Sequence, residues 1–166
     1  LGSDGSGYKA IIIPDGGTRN PVTKESLEEK IIEEGISRNN CQLVLEGMDV
    51  FSFGITTVPK AVAGLMEHFS LSTNDVDYFV FHQANLMMNK MIAKKLKLPD
   101  TKVPYSLQLF GNTSSASIPL TIVSQLRDAV TNGNNKLVLC GFGVGLSWGT
   151  VYIETNNIVA PPVIEL

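Results

Sequence analysis

The segment YFVFHQANLMMNK, residues 78–90, sets His82 between an apolar run and a helical pattern. A lone histidine often packs as a satisfied core residue, but three features here point to chemistry. It falls at the C-terminal end of an expected strand, where open α/β sheets present their ligands. It is followed by Gln83 and Asn85, amides that a core does not call for. It also stands at the start of a helix, whose positive end disfavours an imidazolium. A neutral imidazole can donate a hydrogen bond to a carbonyl oxygen. The second constellation is LFGNTSSASIPL, 109–120, in which Gly111 and the small residues Thr113 to Ser117 allow close packing and Asn112 offers an amide donor. Alone, it reads as a turn and a helix cap. Paired with His82, it supplies two neutral donors at strand-to-helix junctions that can converge on one oxygen. Such donors stabilise developing negative charge by roughly 3–4 kcal/mol each in acyl-transfer chemistry.

Other motifs carry less. GLSWG, 145–149, has the G-x-S-x-G spacing of a nucleophile elbow, but strand-forming residues follow Ser147 where the elbow needs a helix. GFGVG, 141–145, lacks the following helix that a phosphate loop requires. The triplet NTS at 112–114 fits a glycosylation acceptor only in a secreted chain. Cys41 and Cys140 lie far apart and outside any metal-ligand spacing, which suggests a reducing compartment and no metal.

These residues need a scaffold. YKAIII (8–13), CQLVLEG (41–47), VDYFVF (76–81), KLVLCG (136–141) and SWGTVYIET (147–155) read as strands. KESLEEKIIEEG, 24–35, reads as an acidic surface helix. Val58, Val62, Leu65, Met66 and Phe69 follow helical spacing. A helix over 85–97 turns Met88, Met91, Ile92 and Leu96 inward and Lys90, Lys94 and Lys97 outward. Residues 102–110 form an extended connection. A helix over 117–132 carries Ile118, Ile122, Leu126 and Val130, with Asn132-Gly133 as its stop. Gly141, Gly143 and Gly145 build the turn of the final hairpin. The class is α/β with a buried mixed sheet over 1–155, and a tail at 156–166. Of the 166 residues, 17% are charged, which fits a chain burying surface against a partner. A net charge of −3 gives no case for nucleic acid, and no apolar run reaches membrane-spanning length. The start, LGSDGSGYKA, enters a strand without an initiator methionine, as a piece of a longer polypeptide does.

Taken in order, HQANLMMNKMIAKKL, GNTSSASIPL and GFGVGLSWGT resemble the C-terminal half of the β-ketoacyl-acyl carrier protein synthase III family, from about Gly5 to Ile153. The resemblance implies half of a thiolase fold, with a mixed sheet and helices on both faces, in a cytoplasmic homodimer. It implies a decarboxylating condensation of a short acyl-coenzyme A primer with malonyl-acyl carrier protein, without a cofactor or metal. His82 and Asn112 take the positions that bind the malonyl thioester oxygen. Phe142, Gly143 and Val144 match the loop beside the active site, and Asn85 a pantetheine contact. Lys90, Lys94 and Lys95 match the carrier-docking patch. Met87, Ser52 and Met48 depart from the family's frequent arginine, lysine and asparagine. The family's nucleophilic cysteine belongs to an N-terminal half, so the 166 residues alone are expected to be inactive. A specialised condensing enzyme of secondary metabolism and a non-catalytic binding or dimerisation module are the alternatives.

Overall fold

The computed structural model describes residues 1–164. In chain order the strands and helices are β1 (Gly2–Ser3), β2 (Ile11–Ile12), β3 (Lys30–Glu33), β4 (Ile36–Arg38), β5 (Val44–Leu45), α1 (Gly47–His68), β6 (Tyr78–Phe81), α2 (Leu86–Lys95), α3 (Leu107–Phe110), α4 (Ser117–Gln125), α5 (Arg127–Asn132), β7 (Asn134–Gly143) and β8 (Ser147–Asn156). The main sheet has the order β1-β8-β7-β6. Strands β6 and β7 are parallel, and β8 is antiparallel to both β7 and β1, so the sheet is mixed. Two small ribbons, β2-β5 and β3-β4, stand apart.

Alternation along the central strands feeds two cores, as a sheet covered on both faces demands. Phe79, Phe81, Val138, Cys140 and Phe142 pack with Val58, Val62 and Ile92 from α1 and α2. Val80 and Leu137 pack on the other face with Leu126 and Val130, and Ile118 and Ile122 lie against them. Helices therefore lie on both faces. The four-residue stripe of the 117–132 reading is real, although the helix is interrupted at Leu126, where φ is −119° and ψ is 5°. It stops at Asn132 as expected, but through an extended Gly133 (φ −161°) rather than a left-handed cap.

Several local readings are corrected. Residues 24–35 do not form a helix: β3 and β4 make a hairpin that turns at Gly35, whose φ is +79°. Glu and Lys favour helices, but Ile31 and Ile36 give no helical stripe to bury, and the glycine takes the turn that L side chains avoid. The 41–47 strand shrinks to Val44–Leu45, and the 8–13 strand to Ile11–Ile12. Helix α1 begins at Gly47, about three turns before Val58. Residues 102–110 are not wholly extended, since Leu107–Phe110 form one helical turn. Gly141 lies within β7, opposite Gly149, and the hairpin turn is Val144–Leu146. There Gly145 has φ +140°, and a Cβ would collide with the Ser147 side chain. Of the tail, Ile158 N–H donates to the Val130 carbonyl at 2.9 Å and Ala160 is buried against α5. Its last two residues lie outside the described residues.

Pro59 sits inside α1 and has no N–H for the Ile55 carbonyl one turn back. Lys95, at the end of α2, donates its Nζ to that carbonyl at 2.8 Å. A lysine on the neighbouring helix thus replaces the missing rung and ties α2 to α1. Replacing Lys95 with Met, which keeps most of the stem, is expected to lower stability by about 1 kcal/mol in urea unfolding. In a Pro59→Ala background, where the helix amide returns, the same change should cost less than half as much. Equal costs in both backgrounds would show that Lys95 acts some other way.

Candidate active site

Strand β6 ends at Phe81, and the parallel ladder runs one residue further: His82 N–H donates to the Cys140 carbonyl at 2.8 Å. The His82 carbonyl accepts from Ala84 N–H at 3.0 Å and from Asn89 Nδ2 at 3.1 Å. The backbone of this histidine is therefore fixed from the sheet on one side and from α2 on the other. Its ring stands edge-on to Phe142, with centroids 5.4 Å apart. Nδ1 lies 2.6 Å from Ser117 Oγ.

Burial holds the His82 pKa below the ordinary 6.5, against a smaller opposing hydrogen bond to the Ser114 carbonyl. The expected helix-dipole cause is corrected. Helix α2 begins at Leu86 with Asn85 as its N-cap, so His82 precedes the cap, and the dipole fades beyond the terminal turn. Gln83 is also reassigned. It is wholly buried, its Nε2 donates to the Phe81 carbonyl at 2.9 Å, and its Oε1 accepts from Ser106 N–H at 3.0 Å. This amide belongs to the core because both of its bonds are made inside it.

Asn112 follows Gly111, which ends α3 with φ +64°. A Cβ at Gly111 would meet nothing, so the residue serves backbone conformation and not the close packing that its small size suggests. Asn112 Oδ1 accepts from Ser114 N–H at 2.9 Å, and Nδ2 reaches the Ala84 carbonyl only at 3.5 Å. The turn holds the carbonyl end of the amide and leaves the donor end weakly engaged.

His82 and Asn112 line one cleft of about 880 Å³ together with Phe142, Gly143 and Val144. Sequence reasoning missed Ser117, Ile11, Leu43, Leu45 and Trp148, which line the same cleft. Leu43 and Leu45 lie in the segment read as a strand, but nothing in their pattern says which cavity they face. Asn85 does not line the cleft; its Oδ1 accepts from Met88 N–H at 2.9 Å as the cap of α2. Lys90, Lys94 and Lys95 lie on the exposed face of α2, away from the cleft, with Lys95 engaged on α1. Met48 and Met87 are 77% and 67% exposed. Cys140 is buried in β7, and burial pushes its thiol up to about 12, out of reach of a thiolate at neutral pH.

A mixed sheet between two helical layers, with His82 where β6 gives way to α2 and Asn112 between α3 and α4 on the same cleft, is that of a thiolase-fold chain. Residues 66–155 match the family model of the 3-oxoacyl-[acyl-carrier-protein (ACP)] synthase III C-terminal domain. The β-ketoacyl-[acyl-carrier-protein] synthase III of Clostridioides difficile is 33% identical over 154 residues, 93% of this chain and 44% of that protein. The Lactococcus lactis protein of the same name is 35% identical over 142 residues, 84% of this chain and again 44% of its own length. The crystal structure of a 3-oxoacyl-(acyl-carrier protein) synthase from Burkholderia xenovorans superposes with a TM-score of 0.84 at 34% identity, covering 98% of this chain and 45% of that one. The chain belongs to the 3-oxoacyl-acyl carrier protein synthase III family and corresponds to its C-terminal half. It spans under half the length of these relatives. No helix among the described residues is long and apolar enough to cross a membrane.

The lowered pKa has a consequence for stability. Stability that depends on a neutral His82 is complete above pH 6.5 and is lost as the pH falls below it, because the unfolded ring takes up a proton that the folded ring resists. Urea midpoints measured from neutral pH down to about 5 should therefore fall more steeply for the wild type than for His82→Gln. Parallel slopes would show that burial does not hold this ring neutral.

Proposed function

We propose that this chain is the C-terminal domain of a decarboxylating condensing enzyme that joins a short acyl-coenzyme A primer to malonyl-acyl carrier protein. The observation that carries the reading is the placement of His82 and Asn112 on one cleft, each with a neutral N–H donor, beside the Phe142–Val144 segment. The names of the relatives support the substrate class.

In the proposed reaction the malonyl thioester lies with its carbonyl oxygen between His82 Nε2 and Asn112 Nδ2. Its terminal carboxylate leaves as carbon dioxide, and the electrons of the broken C–C bond pass into an enolate whose oxygen these donors stabilise. The enolate carbon then attacks an acyl group held as a thioester on a cysteine. The new C–C bond displaces the cysteine thiolate, and the product is a 3-oxoacyl thioester. The family resemblance puts that cysteine in the N-terminal half of the enzyme; in keeping with this, Cys140 is buried with a raised pKa and Cys41 lies outside the cleft. The 166 residues alone are then inactive. A backbone N–H of the Phe142–Val144 segment serves the thioester oxyanion, Asn85 the pantetheine arm, and Lys90, Lys94 and Lys95 the acidic carrier protein. The complete enzyme is a cytoplasmic homodimer that initiates acyl chains for fatty acid synthesis and needs no metal or cofactor.

The test uses the complete polypeptide that contains this chain. Alanine at His82 or Asn112 should cut malonyl-thioester decarboxylation on the order of 100-fold, while acylation of the cysteine by acyl-coenzyme A changes only a few-fold. Serine at Cys41 or Cys140 should leave turnover intact. Equal loss of both half-reactions in the alanine variants would overturn the assignment.

A further inference from the structure

We infer that Ser117 is a positioning residue that fixes the His82 ring in the tautomer carrying its proton on Nε2, toward the cleft. The donor role this serves rests on the proposed function. Proton positions follow here from counting donors and acceptors. Thr121 Oγ1 spends its one proton on the Ser117 carbonyl at 2.7 Å, since a carbonyl can only accept. Ser106 Oγ, 2.7 Å from Thr121 Oγ1, must therefore be the donor in that pair. Gln83 N–H points at Ser117 Oγ at 3.3 Å, and a backbone amide can only donate. Ser117 is 1% exposed, and the one neighbour that can take its hydroxyl proton among the described residues is His82 Nδ1, at 2.6 Å. With Nδ1 accepting, a neutral ring carries its proton on Nε2. The reverse tautomer would leave the Ser117 proton buried without an acceptor, a cost that favours the Nε2–H form by roughly tenfold or more. A hydrogen bond to the Ser114 carbonyl also acts on the ring, and the spectra report it together with the Ser117 contact.

The chain has two histidines, and the exposed His68 supplies a reference ring. Two-bond proton–nitrogen spectra of the chain labelled with 15N-histidine, at neutral pH, read the tautomer directly. His82 should be at least about nine-tenths Nε2–H in the wild type. In Ser117→Ala the Nδ1–H form should rise at least several-fold, and Ser117→Cys, with its weaker S–H donor, should fall between the two. A wild-type ring protonated on Nδ1, or a folded Ser117→Ala chain with an unchanged ring, overturns the inference. If Ser117→Ala does not fold, the wild type and Ser117→Cys decide it, and an unchanged ring in the cysteine variant counts against it. The spectra need no turnover, so the tautomer assignment can stand even if the decarboxylation test fails.

Discussion

One buried primary amide holds the site together. Gln83 has no exposed surface: its side-chain amide reaches the end of β6 through the Phe81 carbonyl and the connection before α3 through Ser106, and its backbone N–H reaches the first turn of α4 through Ser117. An unpaired amide at this depth would be expensive, so each partner is held where the amide needs it. Ser117 is shared between Gln83 and His82, and Thr121 reaches back to the Ser117 carbonyl. The position of the His82 ring is thus tied to a core network through Ser117, whose hydroxyl belongs to both the network and the cleft wall.

The sheet supplies the other half of the constraint. Strand β7 works on both faces at once, with Val138, Cys140 and Phe142 in one core and Leu137 in the other. Because β6 runs parallel to β7 and the ladder extends to His82, the histidine leaves the sheet at a fixed height beside Cys140. Two residues further along β7, Phe142 meets the ring edge-on. The cysteine contributes a carbonyl and a packed side chain here, which gives position 140 a structural use independent of its sulfur.

Much of this architecture was legible in the sequence. The 76–81 run, the stripes at 58–66 and 118–130, and the closing hairpin are periodic, and burial follows periodicity. His82 and Asn112 stood out because histidine and asparagine at element junctions are chemically conspicuous. The 24–35 segment misled because its Glu and Lys residues have helical propensity, while its fold is set by a glycine turn and pairing between Lys30–Glu33 and Ile36–Arg38. Gln83 was misread for a different reason. It looked like surface chemistry, yet it satisfies backbone groups that only the packed structure reveals, the Phe81 carbonyl and Ser106 N–H; the bond from Lys95 to the Ile55 carbonyl was equally invisible in the sequence. Ser117 was invisible as a histidine partner because the two lie far apart in sequence and meet only when α4 packs on β6.

The character of the cleft bears on what kind of charge it can serve. Among the described residues, its lining contains no Lys, Arg, Asp or Glu side chain; it offers a histidine kept neutral by burial, an asparagine amide, serines and apolar groups. A site built to store a resident anion such as a phosphate commonly carries a fixed positive charge, because neutral dipoles alone repay only part of the ion's desolvation. Neutral donors are suited to a charge that appears briefly on an oxygen already bound as a carbonyl. The ground state then presents little charge to desolvate, and the donors gain strength as the charge grows. Under the proposed function, the same logic makes an imidazolium undesirable at His82, since a permanent cation would bind the carboxylate that has to leave as carbon dioxide. Burial of the ring and its pairing with a serine hydroxyl, in place of a carboxylate that would favour protonation, both push toward the neutral state that this chemistry requires.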